Sequence, residues 1–70
     1  MQGTIETYLD EGRWRNRRVG REEAPFGDSD SLSMAKELGR AAALREGAEH
    51  IVRGRDGRIQ RSTSYANSAE

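Results

Sequence analysis

The amino-acid sequence predicts a small α+β domain, in which an antiparallel sheet, in the chain order ββ(β)αββ, packs against one helix. A helical pattern bounded by capping residues lies in the middle of the chain, and hairpin signals lie before and after it. The length of 70 residues allows one domain and no more. We therefore expect a single domain over residues 1–64 and a loosely ordered tail over residues 65–70.

A hairpin is predicted at the start of the chain. Residues 4–9 alternate as the two faces of a half-buried strand do. Gly12 follows in a short loop, where it permits the positive φ of a tight turn. Residues 13–19 then form the second strand. Residues 22–26 form a short third strand, which Pro25 favours at an edge because it has no amide to donate.

The helix is predicted from a cluster of N-cap residues at positions 28–31 to Glu46. Gly47 suits the left-handed residue that ends a helix. A glycine inside a helix costs about 1 kcal/mol relative to alanine, but small residues let a helix lie close to a sheet. The apolar stripe at helical spacing contains mostly such small residues: Ala35, Leu38, Gly39 and Ala42.

A second hairpin is predicted after the helix. Residues 48–53 form its first strand, and Asp56 and Gly57 form a turn that leads into an antiparallel partner. Ile51 and Val52 are adjacent, so their side chains point to opposite faces of the strand. Two apolar residues in this arrangement predict that both faces are covered.

The composition indicates a thin core. Hydrophobic residues make up 33% and charged residues 34% of the chain, and the mean hydropathy is −1.00. Burial of apolar surface contributes about 25 cal/mol per Å², against roughly 1.5 kcal/mol of entropy per ordered residue. The chain has no cysteine and one histidine, which argues against disulfides and a metal site. We expect no cofactor. By elimination, we expect a homodimer.

Charge and hydropathy bound the location and the partners. No apolar run approaches the ~18 residues of a membrane span, and the N-terminus has no signal-peptide core. We therefore expect a cytoplasmic protein without a membrane partner. The net charge is zero, so the molecule as a whole has no long-range attraction for nucleic acid.

The segment over residues 47–67 resembles the C-terminal signature of the domain of unknown function family 2188. The shared sequence motifs are Gly-Ala-Glu at residues 47–49, Gly-Arg-Asp-Gly-Arg-Ile at residues 54–59 and Ser-Tyr at residues 64–65. Three further positions match upstream: Gly12, Trp14 and Phe26. The resemblance implies a small α+β domain with a curled antiparallel sheet, whose relatives pair into dimers or tandem pseudo-dimers. It implies no activity and no catalytic residue.

Three positions depart from the pattern of that family. Asn16 stands where the family usually has an apolar strand residue, and Lys36 where its helix often has an aliphatic one. Ala66 replaces a glycine that commonly follows the tyrosine. The first two changes place polar groups where the resemblance implies apolar ones.

Two arginine-rich segments, over residues 13–21 and 53–61, suggest a basic strip if they share one face of the sheet. The alternative is a solvated face on which these arginines pair with carboxylates on neighbouring strands. The candidates for nucleic-acid contacts are Arg13, Arg15, Arg17, Arg53, Arg55, Arg58 and Arg61.

The preferred hypothesis is a non-catalytic interaction module, a homodimer that binds another protein through a sheet edge or an apolar patch. The candidate residues for that contact are Trp14, Ile51, Val52 and Tyr65; for Trp14 the alternative is a place in the core. Nucleic-acid binding is the second hypothesis. An enzyme that uses His50 is the weakest, because no nucleophile or orienting carboxylate is placed with it in the sequence.

Overall fold

The computed structural model describes residues 3–66, which form a five-stranded sheet with one helix on one of its faces. The order in the sheet is β3-β2-β1-β4-β5, in which β1 and β4 are parallel and the other neighbours antiparallel. The α+β class is confirmed, whereas the purely antiparallel sheet is wrong. Along the chain the elements are β1 (Thr4–Asp10), β2 (Arg13–Arg18), β3 (Phe26–Ser29), α1 (Leu32–Glu46), β4 (Glu49–Arg53) and β5 (Ile59–Ser64).

The parallel pair follows from the position of the helix. The first three strands form a meander, which leaves one side of β1 without a partner. Parallel neighbours need a long crossover connection, and α1 supplies it by carrying the chain from β3 over the sheet to that side of β1. The hairpin of β4 and β5 therefore extends the sheet beyond β1, and β1 is its central strand.

The third strand lies later in the chain than predicted, at Phe26–Ser29 instead of residues 22–26. Its pairing with β2 is irregular, with a register shift between Trp14 and Asn16. Gly27 has a φ of 64°, and the side-chain amide of Asn16 lies 3.4 Å and 3.5 Å from the carbonyls of Phe26 and Gly27. The side chain of Asn16 on β2 thus faces the segment that forms β3. This strand begins directly after Pro25, whereas the predicted strand included Pro25.

The predicted turn and cap residues lie in turns and at a helix end. Gly12, with a φ of 84°, joins β1 to β2 in a two-residue turn. Gly47, with a φ of 65°, ends α1 in the left-handed region, and its amide faces the last carbonyls of the helix. Between β4 and β5, the Asp56 carboxylate accepts a hydrogen bond from an amide two residues further on, and Gly57 completes the turn.

Small side chains dominate the contact between helix and sheet. The central cluster contains Ile5 and three alanines, with Phe26 and Tyr65 packed at its margin. Leu38 was predicted to face inward, and this is wrong, because 42% of its surface is exposed and it lies over Gly27 at the edge of the sheet. The buried line of α1 consists of Ala35, Gly39, Ala42 and Ala43.

Over residues 3–66, no helix combines the length and the apolar character that a bilayer crossing requires.

Candidate functional site

A network of three polar side chains lies between the sheet and α1. Thr7, Asn16 and His50 stand on β1, β2 and β4, and all three are buried. The Thr7 hydroxyl donates to Asn16 Oδ1 at 2.5 Å, and His50 Nε2 lies 2.8 Å from the same hydroxyl. Because the single hydroxyl proton goes to Asn16, the histidine must donate, so Nε2 carries a proton. The Asn16 amide in turn donates to the Ala35 carbonyl on α1 at 3.0 Å.

Gly39 is the residue of α1 that lies against this network. A Cβ at this position would stand 2.8 Å from both His50 Nε2 and Thr7 Oγ1, and closer still to Asn16 Oδ1. These distances are shorter than real Cβ contacts, so only glycine fits without movement of the hydrogen-bonded groups. This close contact explains why a glycine stands at position 39 inside the helix.

The environment of His50 favours its neutral form. Burial lowers the pKa of the imidazole, and the positive charges of Arg40 and Lys36 lower it further. In that neutral form, the hydrogen bond to Thr7 places the ring proton on Nε2. His50 is hydrogen-bonded to Thr7 and, through Thr7, to Asn16. The use of His50 in an enzyme stays a prediction.

The seven predicted nucleic-acid contacts do not lie on one face of the sheet. Arg13, Arg15 and Arg17 extend from β2 on the side away from α1, which we call the open face, and Arg53 reaches Glu6 on that same face. The other three lie elsewhere: Arg55 and Arg58 in the turn between β4 and β5, and Arg61 beside α1 in register with Val52.

The arginines of the open face are paired with carboxylates. Glu6 has only 4% of its side chain exposed and accepts a hydrogen bond from Arg17 Nε at 2.6 Å and another from Arg53. Burial alone would raise the pKa of Glu6, but the hydrogen bonds from Arg53 and Arg17 outweigh it and lower the pKa. Arg15 lies 3.7 Å from an Asp10 oxygen. This is the paired arrangement that the sequence left open as the alternative.

Arg13 is paired as well, through hydrogen bonds to Asp28 at 3.1 Å and to Asp30. All four arginines on the open face therefore have a carboxylate within ion-pair distance. Nucleic-acid binding through the predicted set stays a prediction, with little unpaired charge on this face to support it.

The four predicted protein contacts divide between surface and interior. Trp14 and Val52 are 3% and 4% exposed and lie on the α1 side of the sheet, so neither offers surface to a partner. Ile51 lies half-buried on the open face, which no helix of residues 3–66 covers. The coverage predicted for both faces of β4 thus holds for the face of Val52 and not for that of Ile51.

Tyr65 begins the segment that was predicted to be a tail. Its amide donates to the Ala48 carbonyl at 3.1 Å, and its ring packs against the central cluster. The last part of that segment, residues 67–70, lies outside the described residues.

Sequence reasoning missed Thr7 and Asn16, because a threonine and an asparagine on a strand look like surface residues. The signal that points to them is their position. Thr7 shares a face with Ile5, Asn16 shares one with Trp14, and a glycine interrupts the facing helix.

A family model described as an uncharacterised protein conserved in bacteria, DUF2188, matches residues 5–65. The match spans almost the whole chain and confirms the resemblance seen in the sequence. No curated protein matches the chain. No solved structure matches it.

Replacement of Gly39 by alanine tests the close contact between α1 and the network. Helix propensity alone predicts a gain of about 1 kcal/mol. We expect instead a loss of about 1–3 kcal/mol in the free energy of unfolding, because the new Cβ overlaps the hydrogen-bonded atoms. Urea denaturation measures it, with Ser33→Ala at an exposed helical position as the control. A Gly39→Ala protein as stable as wild type would contradict the contact.

The neutral state of His50 predicts a pH-dependent stability. Its pKa is lowered from 6.5 on folding, so the unfolded chain binds the proton more readily. The stability due to the neutral ring is therefore present above pH 6.5 and lost as the pH falls below it. We expect the unfolding free energy to decrease more steeply between about pH 7.5 and pH 5 in wild type than in His50→Gln. Parallel profiles for the two proteins would show that the ring does not titrate in this way.

Proposed function

The chain belongs to the family of uncharacterised bacterial proteins DUF2188, and since that family description gives no activity, we propose a function from the geometry. The proposed function is a non-catalytic interaction module, which associates with a second copy of itself through β5 and binds another protein. The observation that carries the proposal is the unprotected state of β5.

Among residues 3–66, β5 is the outer strand of the sheet and pairs only with β4. The backbone of the helix approaches β1 to β4 and not β5. β5 is therefore covered less than the other strands, although side chains of α1 and β5 line a common pocket. It has six residues, no proline and a single charge, Arg61, and its Ile59 is 52% exposed. Natural sheets usually protect such an edge with charges, bulges or prolines, because its unpaired amides and carbonyls accept another strand.

Compared with β5, the strand at the other edge of the sheet is protected. β3 has four residues, includes Gly27 and Asp28, and pairs irregularly with β2. The side chain of Asp28 is held in an ion pair with Arg13. β5 also has a register shift, opposite Val52 and Arg53, but its residues 61–64 pair with β4 in unbroken register. A second strand therefore finds a longer regular template at β5 than at β3.

The hydrogen-bond pattern indicates which groups of β5 are available. The Tyr65 amide donates to Ala48, and hydrogen-bonded pairs alternate along an antiparallel ladder. The pair of His50 and Thr63 is therefore hydrogen-bonded, and the backbone amides and carbonyls of Ser62 and Ser64 point away from β4. These groups match what a second antiparallel strand requires.

A second copy of β5 fits this edge by symmetry. Two identical edge strands related by a twofold axis run antiparallel, so the pairing gives a continuous ten-stranded sheet and adds cover to Ile59. The thin core supports such an association, since the buried apolar side chains larger than alanine are Ile5, Trp14 and Val52 in the described residues. The open face includes Ile51 and also Tyr8, whose ring lies under the Arg17 guanidinium. In the proposed dimer this face continues across both copies as the surface for the protein partner.

Substitution at Ser62 tests this dimer. Ser62→Pro removes an amide that points away from β4, so we expect the pairing of two copies to fail while the hydrogen bonds to β4 remain. Ser62→Ala is the matched control, because it removes the hydroxyl that donates to Glu49 and keeps the amide. Sedimentation equilibrium is expected to give twice the chain mass of 7.8 kDa for wild type and Ser62→Ala, and 7.8 kDa for Ser62→Pro.

Circular dichroism shows whether Ser62→Pro keeps its fold. A wild-type protein that sediments as a folded monomer at high micromolar concentration would overturn the dimer. A folded Ser62→Pro dimer would move the contact away from the edge of β5.

A further inference from the structure

A basic pocket lies between α1, β4 and β5, on the side of the sheet opposite to the open face. Its volume is about 180 Å³. Pockets that hold drug-sized ligands measure about 300–1,000 Å³, so this one fits a single chemical group. Its lining includes three cations and three uncharged polar side chains: Lys36, Arg40, Arg61, His50, Thr63 and Tyr65.

The cations of this pocket are less neutralised than those of the open face. Arg40 pairs at 2.5 Å with Glu37, a carboxylate that also lines the pocket. No carboxylate of residues 3–66 lies within ion-pair distance of Lys36 or Arg61. Three cations and one carboxylate leave a formal charge of +2 in a chain whose net charge is zero. The lowered pKa of the adjacent His50, caused by burial and then by Arg40 and Lys36, agrees with a positive local potential.

We propose that this basic pocket binds a phosphoryl group in its doubly charged form. Such a group carries a charge of about −1.5 to −2 near neutral pH and three acceptor oxygens. The pocket matches it in charge, and its donors are the Lys36 ammonium, the Arg61 guanidinium and the hydroxyls of Thr63 and Tyr65. A carboxylate has two oxygens and one charge, and leaves part of this set unused.

His50 connects the pocket to the buried network. Its Nε2 donates to Thr7, while its ring also contributes to the lining of the pocket. An anion beside the ring favours the protonated form, so binding is expected to raise the pKa of His50. Because the chain contains one histidine, its imidazole resonances report on this pocket without overlap from another histidine.

The test is a titration of the tag-free protein with inorganic phosphate, followed through the ring proton resonance of His50. We expect a saturable shift and a titration midpoint of His50 that moves to higher pH. Lys36→Met and Arg61→Met are each expected to weaken binding about tenfold or more, as the loss of a charge-assisted hydrogen bond does. Arg45→Met is the matched control, because Arg45 is an exposed helix cation that does not line the pocket, and its affinity is expected to stay unchanged.

Three further ligands test which chemical class of anion the pocket recognises. Free phosphoserine is expected to compete with phosphate, whereas acetate and a phosphodiester, such as dimethyl phosphate, are expected to bind more weakly. A shift that sodium chloride reproduces at equal ionic strength, or an equal loss in Arg45→Met, overturns the proposal. A diester that binds as tightly as phosphate overturns the assignment to a doubly charged group. The same titration on Ser62→Pro examines the pocket without a second copy of the chain.

Discussion

The close approach of α1 to the centre of the sheet is the constraint on which the other features depend. Gly39 lies against Thr7 and His50, and the helix receives a hydrogen bond from Asn16 at the Ala35 carbonyl. One point of contact thus sets the distance of the helix from three strands at once. A core made largely of alanines is effective only at such a short distance, because larger gaps would leave the small side chains without contacts.

The distribution of charge follows from the placement of that helix. No helix of the described residues covers the open face. There the stems of Arg17 and Arg53 shield Glu6 from water while their head groups neutralise it. On the opposite side, the helix brings Lys36 and Arg40 over β4 and β5, where few carboxylates stand. The two sides of one sheet therefore differ in unpaired charge, although the net charge of the chain is zero.

The sequence predicts what local chemistry determines. The N-cap cluster that contains Ser31 and the left-handed Gly47 bound the helix as predicted, and the turns at Gly12 and Gly57 follow from their own residues. The parallel pairing of β1 with β4 joins segments far apart in the chain, and no local signal encodes it. The polar network and the basic pocket were missed for the same reason, since each combines side chains from several elements that only the tertiary fold brings together. The chain departs from the family pattern at Asn16, which is part of the polar network, and at Lys36, which lines the basic pocket.

β5 takes part in both proposals, with different groups. Its backbone at Ser62 and Ser64 points to the outer edge, while the side chains of Arg61 and Thr63 line the basic pocket. In the part of the chain that the structure describes, β4 alone pairs with this strand. A second copy at the edge therefore restricts its motion and places the pocket side chains more firmly. Binding to an already ordered site requires less loss of entropy, and such coupling is reciprocal. Under the two proposals, association of the copies and binding of the anion therefore strengthen each other, through the strand that takes part in both.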